Sequence, residues 1–145
     1  MTVPPVTKKI IDSLHVEAMV LADEARSYFD GFGLDERADL APLERVVFSC
    51  ESLKVTTRLM HCVAWLITHR RDGGEDAGMP RARLGRAEDS DPGTTAKLPP
   101  EAARIIAATE ELYDRVERLD TALRWPASIV PSPVATLHRE LERAF

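Results

Sequence analysis

Residues 43–70, LERVVFSCESLKVTTRLMHCVAWLITHR, decide the fold. Leu43, Val46, Cys50, Leu53, Thr57, Met60, Ala64 and Ile67 recur at alternating steps of three and four, which draws a seam down one side of an α-helix. A second stripe, Phe48, Val55, Leu59, Cys62 and Leu66 with Trp65 beside it, runs through the same residues. At 3.6 residues per turn the two stripes lie about 140° apart. A helix that caps a small core needs one apolar side. Two stripes imply cover from two directions, so this is the central helix of the fold and part of an interface. The second stripe is the expected interface: Phe48, Val55, Leu59, Cys62, Trp65 and Leu66 bury against a partner subunit or helix, with Glu51 and Arg58 setting polar register at the edge.

Working outward, a first helix is predicted over about residues 7–31. Ile11, Leu14, Ala18, Leu21, Ala25, Tyr28 and Phe32 repeat the four-three spacing, and Gly31 and Gly33 stop it. A turn, Leu34 to Ala41, follows, with Asp39 as candidate N-cap and Pro42 in the first turn of the central helix, about 40–71. Ser49, Ser52, Thr56 and Thr57 suit a partly buried helix because their hydroxyls bond back to the carbonyl four residues earlier. Residues 72–98 lose all periodicity: seven glycines and prolines (Gly73, Gly74, Gly78, Pro80, Gly85, Pro92, Gly93) alternate with acidic and basic blocks, which reads as a long mobile loop. A third helix, about 99–125, enters at Pro99–Pro100 and carries the seam Ala102, Ile105, Thr109, Leu112, Val116, Leu119, Leu123; Glu111–Arg115 and Asp114–Arg118 are favourable i,i+4 pairs on it. The prediction is an all-α, antiparallel three-helix bundle in up-down-up order over residues 1–125. A tail, 126–145, ends in a short amphipathic segment marked by Val134, Leu137, Leu141 and Phe145.

At 145 residues the chain makes one domain. Aromatics are 6% and alternating β-branched runs are absent, which excludes an all-β fold. Net charge is -5, which argues against nucleic-acid and anionic-membrane partners. Met1 to Lys9 holds no apolar leader core, and the longest apolar run, Cys62 to Ile67, is too short to span a bilayer, so a cytoplasmic location is expected. Cys50 and Cys62 are twelve residues apart on one helix, roughly 18 Å, too far to bond to each other, and read as buried reduced thiols.

Catalytic chemistry has little to stand on. His15, His61, His69 and His138 fall in no metal-ligand spacing, and Gly73–Gly74 lacks the lysine and strand of a phosphate loop. Arg81, Arg83 and Arg86 are flanked by acids and lack aromatic company, as in a solvated loop. The one enzyme-like cluster is acidic: Glu110, Glu111, Asp114, Glu117 and Asp120, with Glu44 and Glu51 on the central helix, have the makings of a Mg²⁺ site as in all-α nucleotide pyrophosphohydrolases. Arg115 and Arg118 interleave that run and neutralise it, as on a salt-bridged solvated side. No catalytic, metal-binding or cofactor-binding residue is therefore assigned. The small Mg²⁺-dependent hydrolase is the alternative reading.

Four stretches carry a family resemblance: Tyr28–Gly31 (YFDG), Glu51–Met60 (ESLKVTTRLM), Ala64–Leu66 (AWL) and Leu112–Asp120 (LYDRVERLD). Together they resemble the RcdA family, regulators of CtrA degradation once filed as a domain of unknown function. The likeness covers all three helices and, more weakly, 133–145; in the loop it is confined to Arg83–Leu84–Gly85. The resemblance implies a cytoplasmic bacterial adaptor, a dimeric three-helix bundle without catalysis that acts with the ClpXP protease. Such adaptors join a protease primed by a response-regulator-like partner. They tether cargo, including the cell-cycle transcription regulator CtrA through a cyclic-di-GMP-binding partner. On this reading the protein is a homodimeric adaptor of regulated proteolysis, and Leu137, Leu141 and Phe145 dock in trans or on the protease.

Overall fold

The computed structural model describes residues 4–71, 83–124 and 140–144, and among these every regular element is helical. The order is α1 (Pro5–Asp30), α2 (Phe32–Ala38), α3 (Pro42–Arg71), α4 (Pro92–Thr95) and α5 (Pro100–Arg124); residues 140–144 are also helical. The all-α bundle read from the sequence is the fold.

Prolines set the helix starts. Pro5 occupies the first position of α1, and Pro42 and Pro100 open α3 and α5, where a missing N–H leaves no bond unmade. α1 closes at Gly31, whose N–H donates to the Tyr28 carbonyl at 3.2 Å. A Cβ there would sit 2.7 Å from the Ser27 carbonyl oxygen, so the chain turns this sharply into α2 only without one. The predicted turn after Gly33 is the helix α2, and Asp39 closes that helix instead of capping α3. Arg37 Nε donates to Ser49 Oγ at 2.8 Å and the Tyr28 hydroxyl to Glu36 at 3.1 Å, which ties α2 to its neighbours.

The seams of α1 and α5 are buried as their spacing predicts: Ile11, Leu14, Ala18, Leu21, Ala25 and Tyr28 on α1, and Ala102, Ile105, Thr109, Leu112 and Val116 on α5. Leu119 and Leu123, at the end of the α5 seam, are half-buried against the core, and Phe32 is exposed. α3 packs against both. Of the four hydroxyls expected to bond back, Thr56 and Thr57 donate to the Ser52 and Leu53 carbonyls at 3.1 and 3.0 Å, while Ser49 Oγ accepts from Arg37. Tyr28, Phe29 and Phe48 form an aromatic cluster at one end, with Phe29 and Phe48 5.5 Å apart edge to face.

Pairings along the helices fix their directions. Asp12 meets Arg70, and Phe29 meets Phe48, so α1 and α3 are antiparallel. Glu24 meets Arg104 and Glu17 meets Arg115, so α1 and α5 are antiparallel too. Arg58 bonds Thr109 and Trp65 bonds Asp120, so α3 and α5 run the same way. The order is up-down-down, not the predicted up-down-up. This arrangement explains the long connection after α3. Thirty residues of helix climb about 45 Å, and the chain must retrace most of that length before a parallel helix begins. Arg115 accordingly reaches across to Glu17 on α1 instead of pairing within its own helix with Glu111.

Of the predicted loop 72–98, residues 83–98 form a strap held by side chains of α3 and α5, and 72–82 lie outside the described residues. The strap climbs between α3 and α5. The Leu84 N–H meets Asp120 Oδ2 at 3.4 Å, Tyr113 donates to the Gly85 carbonyl at 2.8 Å, Arg58 to the Glu88 carbonyl at 2.8 Å and Lys54 to the Asp89 carbonyl at 3.2 Å. Leu98 then enters the core.

Candidate interaction surface

α3 does present two apolar sides, but their roles are the reverse of the expectation. Phe48, Val55, Leu59, Cys62, Trp65 and Leu66 are buried inside this chain's own core with α1 and α5. They are core rather than an exposed partner surface, although Val55 and Leu59 also line the valley between α1 and α3. The exposed side is the other seam: Leu43 is 76% exposed, Leu53 68% and Met60 64%, with Val46 and Ile67 in line. Residue size explains the reversal. Every seventh position of that seam is small, Cys50, Thr57 and Ala64, whereas the second stripe is bulky apart from Cys62 and includes Phe48, Trp65 and two leucines. Bulky side chains fill the space between three helices better and remove more apolar area from water.

Beside this ridge lies an apolar valley of about 650 Å³ between α1 and α3. Met19, Ala22 and Phe29 line it from α1, and Met60, Val63 and Ile67 from α3. Arg26 and Asp30 stand at its rim, 4.0 Å apart and both exposed. Met19 is itself half exposed. An apolar ridge and valley on a rigid bundle mark a surface for protein contact.

Glu51 and Arg58 are not at an edge. Both are buried, at 3% and 2% exposure. They hold the strap through Ser90. The Arg58 guanidinium donates to Ser90 Oγ at 2.6 Å, and the Ser90 hydroxyl in turn donates to Glu51 in a short bond. Lys54 adds a 3.1 Å contact to Glu51. A buried cation and a buried anion are thus bridged by one hydroxyl from a segment more than thirty residues away, which satisfies charges that would otherwise oppose folding. Burial lifts Glu110 above the ordinary glutamate range; Arg58 opposes, while Glu51, Asp89 and Asp114 add repulsion.

A second buried cluster sits lower on α3. Trp65 Nε1 donates to Asp120 Oδ1 at 3.0 Å, and the other Asp120 oxygen takes Arg124 and the Leu84 N–H. His69 stacks on Trp65 with ring centres 3.8 Å apart. Asp120 and Glu51, two members of the acidic cluster considered as a Mg²⁺ site, are therefore committed to structural bonds. Among the described residues no three His, Cys, Asp or Glu side chains converge as ligands. Cys62 is buried, and that burial pushes its thiol up to about 12; Cys50 is exposed rather than buried as expected.

Of the predicted tail-docking residues, Leu137 and Phe145 lie outside the described residues, and Leu141 is 55% exposed. Among the described residues no helix is long and apolar enough to cross a membrane.

Comparison with known proteins agrees with this architecture. Residues 4–145 match the model of a family described as protein of unknown function, DUF1465. The crystal structure of RcdA from Caulobacter crescentus CB15 superposes with a TM-score of 0.58 at 29% identity, over 76% of this chain and 87% of that one. No curated protein matches the sequence.

Proposed function

We propose, from the premise that this chain belongs to the DUF1465 family and is RcdA-like in sequence and fold, that it is a non-catalytic adaptor of regulated proteolysis in the cytoplasm. It tethers protein substrates, such as a cell-cycle transcription regulator, to the ClpXP protease. It works there beside a response-regulator-like priming partner and a cyclic-di-GMP-binding adaptor. It acts as a homodimer.

The observation that carries this reading is the exposed ridge of α3. Leu43, Val46 and Leu53 stand out on a helix whose opposite side is locked into the core and pinned by the strap. Large aliphatic side chains held on a rigid scaffold lose little entropy on contact, which favours association. In the dimer, Leu43, Val46 and Leu53 meet the same residues of a second copy about a two-fold axis.

The test is reconstituted degradation. With ClpXP, ATP and the priming partner, the full chain accelerates loss of a bound cargo without itself being consumed, and Leu53→Asp abolishes the acceleration. Equal cargo half-life with and without the protein, across the partners, contradicts the adaptor reading.

A further inference from the structure

The valley between α1 and α3 is uncovered by any described residue, and the chain carries one segment of matching form. The valley runs along α3 from Ser52 to Ile67, a helical rise of about 22 Å. From Val134 to Phe145 the apolar residues Val134, Leu137, Leu141 and Phe145 fall at steps of three, four and four. As a helix this segment is about 17 Å long with one apolar side. Arg139, Glu140, Glu142 and Arg143 lie off that side, opposite in character to the apolar valley and suited to its Arg26–Asp30 rim. Residues 140–144 are helical, yet Leu141 is uncovered. So short a helix gains stability only by packing.

Connectivity places the two within reach. α5 ends at Arg124, which pairs with Asp120, and Asp120 bonds Trp65. The chain thus leaves the bundle at the level of Trp65 to Ile67, the lower end of the valley. Nine residues, 125–133, separate Arg124 from Val134, and three of them are proline. At about 3.1 Å per residue they span roughly 28 Å, against about 8–10 Å between neighbouring helix axes.

We propose that the α1–α3 valley is the seat of the chain's own C-terminal segment, residues 134–145, with Leu137, Leu141 and Phe145 against Met19, Met60 and Ile67. The segment docks in the same chain and covers the valley but not Leu43, Val46 or Leu53, which are not among the valley's lining residues. The proposal is independent of the adaptor reading. Because Met60 and Ile67 continue the ridge, a docked tail also limits how far a partner can extend along α3.

The chain holds four methionines, Met1, Met19, Met60 and Met79, and two line the valley. In full-length protein labelled with 13C at the methionine methyls, the Met19 and Met60 resonances shift in Leu137→Asp/Leu141→Asp relative to wild type, while Met1 and Met79 stay in place. The difference is independent of protein concentration and persists in a Leu53→Asp background, which removes the ridge contact. Unchanged Met19 and Met60 resonances overturn the proposal. So does a shift that vanishes on dilution, which assigns the valley to a second copy.

Discussion

Replacing Arg58 with methionine measures what holds the strap to the bundle. Methionine keeps most of the apolar stem and removes the guanidinium. Three acceptors lose their donor: the Glu88 carbonyl at 2.8 Å, Ser90 Oγ at 2.6 Å and, at a longer 3.5 Å, Thr109 Oγ1. Glu51 remains buried at 3% exposure, with Ser90 and Lys54 as its partners. Charge-assisted hydrogen bonds contribute about 1.5–3 kcal/mol each, but they act as one network and do not add. The loss from breaking a buried pair, about 3–5 kcal/mol, is the better guide. With a slope near 2 kcal/mol per molar urea, the unfolding midpoint falls by roughly 2 M. Arg58→Met combined with Glu51→Leu removes both charges and regains part of that loss, because the buried carboxylate is then no longer left with Lys54 as its one cationic partner. Hydrogen exchange of the 83–98 amides rises sharply in the single variant and less in the double. A loss below about 1 kcal/mol, well under the range for a broken buried pair, or a double variant no more stable than the single, refutes the account of the strap.

Two further outcomes follow from local geometry. A Cβ on Gly85 would lie 2.1 Å from His61 Nδ1, so Gly85→Ala costs about 1–3 kcal/mol in thermal or urea unfolding, and His61→Ala in the same chain restores most of it. At pH 8 a thiol reagent modifies the exposed Cys50 quickly and reaches Cys62 only after denaturation, since burial holds the Cys62 thiol protonated up to about 12. The folded state thus binds the Cys62 proton more tightly than the unfolded chain, where the ordinary value is 9.0. Its contribution is whole below about pH 9 and declines as pH rises through the window toward 12, at about 1.4 kcal/mol per unit. Urea midpoints of wild type and Cys62→Ala therefore converge as the pH is raised from 8 to 11.

The α1 and α5 seams were legible because each helix has one apolar side, so spacing alone gives the phase. α3 is apolar on two sides, and spacing cannot say which side faces inward. Size at the seventh positions, Cys50, Thr57 and Ala64, held that answer. Glu51, Arg58 and Asp120 read as surface residues because their partners, Ser90, the Glu88 carbonyl and the Leu84 N–H, come from a glycine- and proline-broken stretch with no periodicity to place it. Apart from the single turn of α4, the strap has no regular element because it rides on side-chain donors from α3 and α5, which leave no repeating pattern in its own sequence. The same fact hid the parallel α3–α5 pairing, since a short connection implies antiparallel neighbours and a long one implies nothing until its path is known. The candidate surface was half legible: an apolar excess on α3 was evident, and its side was misassigned. Leu59→Asp, the natural choice from the second stripe, would bury a charge and unfold the chain instead of parting a dimer.

Leu53 is the proper probe, since it is 68% exposed and its substitution leaves the core untouched. Sedimentation velocity of wild type and Leu53→Asp, at equal concentration and with unchanged helical circular dichroism, tests the assembly ridge most directly. Wild type is predicted to sediment as a dimer and Leu53→Asp as a 16.1 kDa monomer. A monomer in both, or an undisturbed dimer in the variant, would contradict it.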